Sequence, residues 1–195
     1  MRLAGKSIGF GITASHHNRE RAFAAMQQVV EEGAAVVPVL STNAVTTETK
    51  FGDGQSLMER VAAISGKAPL TTIAEAEPLG PKEPLDCMVI LPCTGSTLAK
   101  LANAINDTPV LMAAKATLRN GRPLVLAIST NDGLGLNAAN LGRLLAARNV
   151  YFVPFGQDNP RVKPTSLDAD MNQVVDTILE ALEGRQLQPI LMTRS

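Results

Sequence analysis

Short runs of hydroxyl and other small polar side chains follow several apolar segments of this sequence. Three runs supply the hydroxyls of Thr13, Ser15, Ser41, Thr94, Ser96 and Thr97, and a fourth, Ser-Thr-Asn, occupies 129–131. Hydroxyls and the backbone N–H groups of such loops direct positive dipoles at one place, and this arrangement binds phosphate. One run alone would be explained by helix capping. Four runs together predict a bound anionic cofactor.

The nearest glycine pattern is that of Gly9 and Gly11, and it departs from the dinucleotide fingerprint. Ala14 stands where a third glycine is expected. Ser41 and Thr42 follow the second apolar segment, where an acidic residue would hold a ribose. Both departures argue against ordinary NAD binding. A single phosphate, as in a mononucleotide, fits the pattern better.

Two histidines and two cysteines are further candidates for chemistry. One of His16 and His17 could act in catalysis or bind substrate, or both could be solvated beside the start of a helix. Cys87 lies in an apolar segment and is expected to be inert. Cys93 lies in a polar loop, but no neighbouring residue in the sequence favours its thiolate. Adjacent histidines and two cysteines do not form a zinc pattern, so no metal site is predicted.

Three cations lie near these segments. Arg122 stands between Gly121 and Pro123, just before an apolar run, and is therefore expected at the opposite end of its strand. A surface role and a contact across a subunit interface are both open for it. Lys100 and Lys115 are interpreted as solvated helix charges.

The polar runs need a scaffold that brings the ends of the apolar segments together. Apolar runs predict strands at Ser7–Ile12, Ala35–Leu40, 85–91, 124–128 and 150–154. Apolar residues at three- and four-residue intervals predict helices at 19–32, 56–65, 98–105, from about 138, and at 168–183. Of the remaining segments, 46–54 is interpreted as a mobile lid or subunit-contact loop, 155–164 as a loop, and 186–192 as a segment that docks on a neighbour.

This alternation of strands and helices predicts an α/β fold with a doubly wound, mostly parallel sheet flanked by helices on both faces. Such sheets bind ligands at the carboxyl ends of their strands. The length of 195 residues suits one domain, 1–195. Lys plus Arg and Asp plus Glu number 18 each, so no net field attracts nucleic acid or an anionic membrane, and a small-molecule ligand is expected. No leader or membrane span is recognised, which predicts a cytoplasmic protein.

The segment 88–126, MVILPCTGSTLAKLANAINDTPVLMAAKATLRNGRPLVL, resembles the signature region of the homo-oligomeric flavin-containing Cys decarboxylase superfamily. The loop at 92–97 is similar to its Pro-Ala-Thr-Ala-Asn-Thr type motif, or to the Pro-Cys-Ser type of flavin prenyltransferases. GITAS at 11–15 and Ser41 match the other flavin loops. The resemblance implies a Rossmann-like fold, bound FMN and a homo-oligomer.

Residue roles follow from the same resemblance. The FMN phosphate would meet Thr13, Ser15 and Ser41, with Gly11 in the same loop motif, and the ribityl chain and ring would meet Thr94, Ser96 and Thr97. Arg122 falls on a flavin- or phosphate-contacting arginine of the prenyltransferases. That match favours a functional Arg122 acting through a neighbouring subunit.

Further strings, among them GKSIGFGITASH, AEPLGPKEPLDCMVILPCTGS and YFVPFGQDNP, resemble a narrower family of flavoprotein subunits from spore-forming bacteria. This resemblance implies a role in forming dipicolinic acid from a dihydrodipicolinate-type precursor in the mother cell. It also implies a partner, the A subunit of the same enzyme, that looks like a pyridine-nucleotide-binding protein. NADP would enter only through that partner.

Two departures from the superfamily bear on the chemistry. No histidine lies at 46–65, where the Cys decarboxylases carry a catalytic one, and 129–132 replaces the Arg-Glu-Thr-Pro type motif of prenyltransferases. Our first hypothesis is oxidation of a dihydropyridine dicarboxylate, with FMN accepting a hydride and with His16, Asn131 and Arg122 binding carboxylates. His16 and Asn131 are the catalytic candidates. The second hypothesis is a non-catalytic protein that activates the A subunit, and the third is a flavin prenyltransferase.

Overall fold

The computed structural model describes residues 1–14, 18–47 and 53–192. Its strands are β1 (Ser7–Ile12), β2 (Ala35–Leu40), β3 (Cys87–Cys93), β4 (Leu124–Thr130), β5 (Val150–Phe152), β6 (Phe155–Gly156) and β7 (Leu167–Ala169). Its α-helices are α1 (Arg19–Glu31), α2 (Thr42–Thr46), α3 (Gly54–Ser65), α4 (Ile73–Ala76), α5 (Gly95–Ala102), α6 (Pro109–Arg119), α7 (Ala138–Leu145) and α8 (Val174–Leu182). Single 3₁₀ turns lie at Glu77–Leu79 and Met171–Gln173.

Five strands form a parallel sheet in the order β2-β1-β3-β4-β5. β7 pairs antiparallel with the last two residues of β4, and β6 pairs antiparallel with β7, so this short hairpin continues the sheet beyond the end of β5. The order reverses between β1 and β3, and this is the switch point at which doubly wound sheets open a crevice. The predicted fold class is confirmed.

The sheet is buried between two groups of helices. α1 and α8 contact each other and cover one face, while α6 lies across β1 to β4 on the other, next to α5. This division follows from right-handed crossovers, because the connection from β1 to β2 runs in the opposite direction to those that follow it. β3 is buried at all seven positions, as expected of a central parallel strand.

Local chemistry fixes several helix boundaries. The Asp53 side chain accepts a hydrogen bond from the Ser56 N–H at the start of α3, and Gly66 ends that helix in the left-handed region, with φ of 70°. Thr72 and Glu75 form a reciprocal capping box at α4. Thr108 caps α6, and Pro109 occupies its first turn.

Some predicted boundaries were wrong. Ser129 and Thr130 belong to β4 and pair with β7, and Cys93 is the last residue of β3, because long-range pairing extends both strands past their apolar runs. The helix predicted at 168–183 begins only at Val174, since Leu167–Ala169 is a strand. The helix predicted at 98–105 starts at Gly95 and ends at Ala102.

Two predicted irregular segments have structure of their own. The lid predicted at 46–54 overlaps the end of α2 and the start of α3, and its middle, 48–52, lies outside the described residues. The C-terminal segment docks on its own chain, since the N–H of Phe155 donates to the carbonyl of Ile190 and the N–H of Met192 donates to that of Phe155. No helix in the described part of the chain is long and apolar enough to cross a bilayer.

Candidate functional site

A cleft of about 260 Å³ opens at the carboxyl ends of β1, β2 and β3. Each of these strands delivers its polar loop to the cleft wall, and the start of α6 closes it. The lining residues are Thr13, Ala14, Ser41, Asn43, Thr94, Ser96, Thr97, Lys100, Thr108 and Leu111. Parallel strands therefore unite three loops that lie far apart in the sequence, as is typical of ligand crevices in open α/β sheets.

The loop after β3 is shaped by Thr94, which caps α5. Its Oγ1 accepts a hydrogen bond from the Thr97 N–H at 3.4 Å and lies 3.0 Å from the Thr97 Oγ1. The cap presents the amino end of α5 to the cleft, where unpaired N–H groups and the helix dipole favour an anion. Ser96 is exposed beside it, and its hydroxyl makes no hydrogen bond to the described residues.

Thr13 and Ser41 differ in how their hydroxyls are used. The Thr13 hydroxyl donates to the carbonyl oxygen of Pro92 at 2.6 Å, and this buried bond ties the end of β1 to β3. Ser41 is 7% exposed, and its Oγ has no hydrogen-bond partner within the described residues. A buried hydroxyl without a partner costs free energy, so Ser41 is suited to a polar ligand group in this cleft.

A hydrogen-bond network centred on the Asp132 carboxylate supports the loop after β3. Asp132 accepts hydrogen bonds from the hydroxyl of Thr130 at 2.5 Å and the side-chain amide of Asn137 at 2.8 Å. These bonds lower the pKa of Asp132. Gly95, the first residue of α5, lies against all three groups, because a Cβ there would lie 2.5 Å from the Thr130 hydroxyl and 2.8 Å from an Asp132 carboxylate oxygen. The network therefore requires glycine at this position.

A second, larger cleft of about 440 Å³ lies at the carboxyl end of β4, beside the β6-β7 hairpin. Among the described residues, its polar lining consists of Asn18, Arg21, Ser129, Thr130, Asn131, Asp158, Lys163, Ser166 and Asp168, and Leu167 adds one apolar side chain. Thr130 belongs to this wall and also to the network beneath Gly95. The two clefts are therefore neighbours.

Arg21 is the most firmly held cation of the second cleft. Its Nη1 donates to Asp168 at 2.8 Å and to Asn18 at 2.9 Å, and its Nη2 donates to the carbonyl of Ala169 at 2.9 Å. The backbone carbonyl of Asn131 accepts a hydrogen bond from the Thr165 hydroxyl at 2.6 Å. Its side-chain oxygen accepts one from the Ser166 hydroxyl at 3.4 Å. The Asn131 amide nitrogen donates no hydrogen bond within the described residues. It can therefore serve a ligand.

The predicted site residues do not all lie in one place. Thr13, Ser41, Thr94, Ser96 and Thr97 line the first cleft together, and Asn131 lines the second. Gly11 lies inside β1, where an added Cβ would meet the Met88 and Val110 side chains. Arg122 is exposed at the amino end of β4, the end opposite both clefts. Ser15 and His16 lie outside the described residues.

Sequence reasoning missed Lys100, Arg21 and Asp132. Lys100 was interpreted as a solvated helix charge, but it lines the first cleft. The signal for Asp132 was its position directly after a polar strand end, while nothing local in the sequence marks Arg21. Its role depends on the hairpin that follows β5.

The two cysteines are unsuited to nucleophilic chemistry. Both are fully buried, and burial raises the pKa of the Cys87 thiol far above its usual range and that of Cys93 to about 12. A thiol with such a pKa is not a thiolate at neutral pH. Among the described residues, no group of three or more His, Cys, Asp or Glu side chains is arranged to hold a metal ion.

Comparison with known proteins gives consistent matches. The family model described as Flavoprotein matches residues 2–183. The B subunit of dipicolinate synthase from Bacillus subtilis (strain 168) is 53% identical over 190 residues, which are 97% of this chain and 95% of that protein. The crystal structure of the corresponding B subunit from Bacillus halodurans C has a TM-score of 0.92 and 50% identity, with complete coverage of both chains.

More distant structures share the fold. The FMN-dependent cysteine decarboxylase SpaF has a TM-score of 0.60 and 20% identity, with 93% of this chain and 99% of that chain covered. At this identity the likeness extends to the fold alone. The resemblance to the narrower family of flavoprotein subunits is confirmed by the family model and the two B-subunit matches.

Proposed function

The chain belongs to the Flavoprotein family, and from this premise we propose that it binds FMN and acts as the B subunit of a dipicolinate-forming enzyme during sporulation. Its substrate would be dihydrodipicolinate, and its partner the A subunit of dipicolinate synthase, which would carry the NADP site. The similarity to the Bacillus subtilis protein supports this role. The single observation that carries the cofactor proposal is the Ser41 hydroxyl in the first cleft, which is buried and has no hydrogen-bond partner among the described residues.

The first cleft fits a flavin mononucleotide by its chemistry. A phosphate needs hydrogen-bond donors and compensating charge, and the cleft offers the Ser41 and Ser96 hydroxyls, the N–H groups at the start of α5, and Lys100. Thr94 and Thr97 would meet the ribityl chain, for which their hydroxyls can donate and accept. Ser15 would complete the phosphate loop.

When bound, FMN would supply a hydride acceptor for the oxidation of dihydrodipicolinate to the aromatic diacid. The residues of this chain would bind and orient the substrate in the second cleft. Asn131 has a free amide donor for a carboxylate, and Lys163 adds a positive charge. Arg21 is already neutralised by Asp168, so its role would be to fix Asn18 and the β7 strand. His16, which lies outside the described residues, is a further catalytic candidate from the sequence.

A second candidate function is that of a protein that holds flavin but mainly activates the A subunit. It is favoured because neither carboxylate of the second cleft, Asp158 or Asp168, is suited to act as a general base. Burial raises the pKa of Asp158, but hydrogen bonding and the charge of Lys163, whose Nζ lies 3.6 Å from a carboxylate oxygen, outweigh burial and lower it, which makes Asp158 a weak base. Asp168 is paired with Arg21. Flavin prenyl transfer is the third candidate, supported only by the shared fold.

Two measurements test the proposal. Purified protein under saturating FMN is expected to show flavin absorbance and quenched flavin fluorescence, and the absence of both would refute the cofactor. Mixing the two subunits tests the chemistry. If this chain with FMN oxidises dihydrodipicolinate without the A subunit, the purely activating role is excluded. If the A subunit alone reaches the full rate, the catalytic role is excluded.

The substrate cleft has its own test. We expect Asn131→Ala to raise KM for dihydrodipicolinate by about tenfold, because a carboxylate loses one hydrogen bond. FMN affinity should be unchanged. The matched control is Asn172→Ala, an exposed asparagine that lines neither cleft. An unchanged KM in the Asn131 variant would remove it from the substrate site.

The chain is proposed to form a homo-oligomer in which Arg122 contacts the flavin of a neighbouring protomer. Arg122 is exposed at the end of β4 opposite its own cleft, so it can reach a cleft only across an interface. Ser41→Ala and Arg122→Ala should each weaken FMN binding. Mixed oligomers of the two variants should regain a fraction of intact sites. If mixing restores no binding, the contact between protomers is refuted.

A further inference from the structure

One charged side chain stands out in the first cleft. Of the described residues that line it, only Lys100 is charged. Lys100 lies on α5, six residues after the capping Thr94, and its side chain is 34% exposed. The rest of the wall is hydroxyl, amide or apolar. Within the described part of the chain, the electrostatic preference of this cleft therefore depends on one ammonium group and on the dipole of α5.

Asp107 holds this ammonium group. Nζ of Lys100 lies 3.0 Å from Oδ1 and 2.8 Å from Oδ2 of Asp107, whose side chain is more exposed than that of Lys100. The turn after α5 brings the two together, because the Ile105 N–H donates to the carbonyl of Lys100 at 2.9 Å. An exposed ion pair of this kind contributes little to folding stability.

Because an ammonium group has three N–H donors, Asp107 does not exhaust it. A phosphate in the cleft could share Lys100 with Asp107. The phosphate would also meet the Ser41 hydroxyl, which is buried and has no partner among the described residues. Asp107 would then act against the anion, since its negative charge competes for the same ammonium group.

We infer that Lys100 is the residue that makes this cleft selective for a phosphorylated flavin over riboflavin, and that Asp107 reduces that selectivity. The inference rests on the proposed flavin site and adds the origin of its specificity. Ring and ribityl contacts are common to FMN and riboflavin, whereas only FMN carries the dianionic phosphate. The charge of Lys100 should therefore affect the two ligands differently.

The test compares dissociation constants for FMN and riboflavin, measured by fluorescence quenching of the flavin-free protein at several salt concentrations. Lys100→Gln is expected to weaken FMN about tenfold, as for the loss of one charge-assisted hydrogen bond, and to leave riboflavin unchanged. The salt dependence of FMN binding should also decrease. Lys100→Arg should retain most of the FMN affinity.

Two further variants sharpen the comparison. Asp107→Asn is expected to tighten FMN by about threefold with no effect on riboflavin, the opposite sign to Lys100→Gln. Lys115→Gln removes the same charge from an exposed position on α6 outside the cleft and should change neither ligand. Thermal unfolding of each variant verifies that it is folded.

The outcomes separate the two proposals. Wild-type protein that binds neither flavin would refute the flavin site and this inference together. Wild-type protein that binds FMN normally while Lys100→Gln leaves FMN affinity intact, or weakens both flavins equally, would refute only the role of Lys100. Weaker FMN binding in Asp107→Asn would refute the proposal that Asp107 reduces the affinity for FMN.

Discussion

The hydroxyl of Thr13 donates a buried hydrogen bond of 2.6 Å to the carbonyl oxygen of Pro92. The bond joins the ends of β1 and β3, the two strands between which the sheet order reverses. A hydroxyl has one proton, so the Thr13 proton serves the fold and only its lone pairs remain for a ligand. The backbone N–H of Ser41 donates to the carbonyl of Ile12, the residue before Thr13, and the Ser41 hydroxyl has no hydrogen-bond partner among the described residues.

Thr13→Val should therefore reduce stability. The substitution keeps the shape but leaves the Pro92 carbonyl without this donor, and we expect a loss of about 1–2 kcal/mol in the free energy of unfolding. Urea titration followed by circular dichroism measures it. Thr13→Ser, which retains the hydroxyl, should lose less than the valine variant. Equal losses in both would show that the hydrogen bond is not the cause.

Ser41→Ala should affect ligand binding rather than stability. Removing a buried hydroxyl without a partner relieves its desolvation cost, so stability should be unchanged or higher. FMN affinity, measured by fluorescence quenching, should fall about tenfold. Thr46→Ala, at an exposed hydroxyl of α2 outside the cleft, is the control and should bind FMN normally. A clear loss of stability in Ser41→Ala would indicate a structural role instead.

Gly95→Ala should disturb the loop after β3. Its Cβ would lie 2.5 Å from the Thr130 hydroxyl and 2.9 Å from the Asn137 amide, so the amino end of α5 must shift. We expect lower stability and weaker FMN binding. Gly142→Ala, in α7 with nothing within 4 Å of the added methyl, should be neutral or stabilising by up to about 1 kcal/mol. Similar behaviour of the two variants would contradict the packing argument.

Asp132→Asn should remove a pH-dependent part of the stability. Hydrogen bonds from Thr130 and Asn137 lower the pKa of Asp132 in the folded chain relative to the unfolded chain. Its contribution is therefore complete above the ordinary aspartate range and is lost as the pH falls through the lowered folded pKa. The difference in unfolding free energy between wild type and variant should be largest near neutral pH and should diminish in acid. A constant difference would refute the linkage.

The thiols should be protected in the folded chain. Burial raises the pKa of Cys93 to about 12 and that of Cys87 further, so neither is a thiolate in mildly alkaline buffer. A chromogenic disulfide reagent should release no colour from the native protein and two equivalents after unfolding in urea. Rapid native labelling of Cys93 would contradict its burial.

The sequence by itself determined β1 and β2 to the residue, the alternation of strands and helices, and the identity of three hydroxyl loops. These features are local, because apolar runs, hydroxyl clusters and cap residues act over a few positions of the chain. The resemblance to a flavin-binding superfamily also depends on contiguous strings. Five predicted residues, Thr13, Ser41, Thr94, Ser96 and Thr97, consequently meet in one cleft.

Tertiary structure alone decided which cations belong to the site. Lys100 resembles any solvated helix lysine until α5 is placed beside the loops of β1 and β2. Likewise, Arg21 acquires its partners only when β7, from a distant part of the chain, adds to the end of β4. Pairing between distant segments sets these contacts, and no local propensity encodes it. For the same reason the carboxyl ends of β3 and β4 were predicted two residues too early, since each strand continues as far as its neighbouring strand supplies hydrogen bonds.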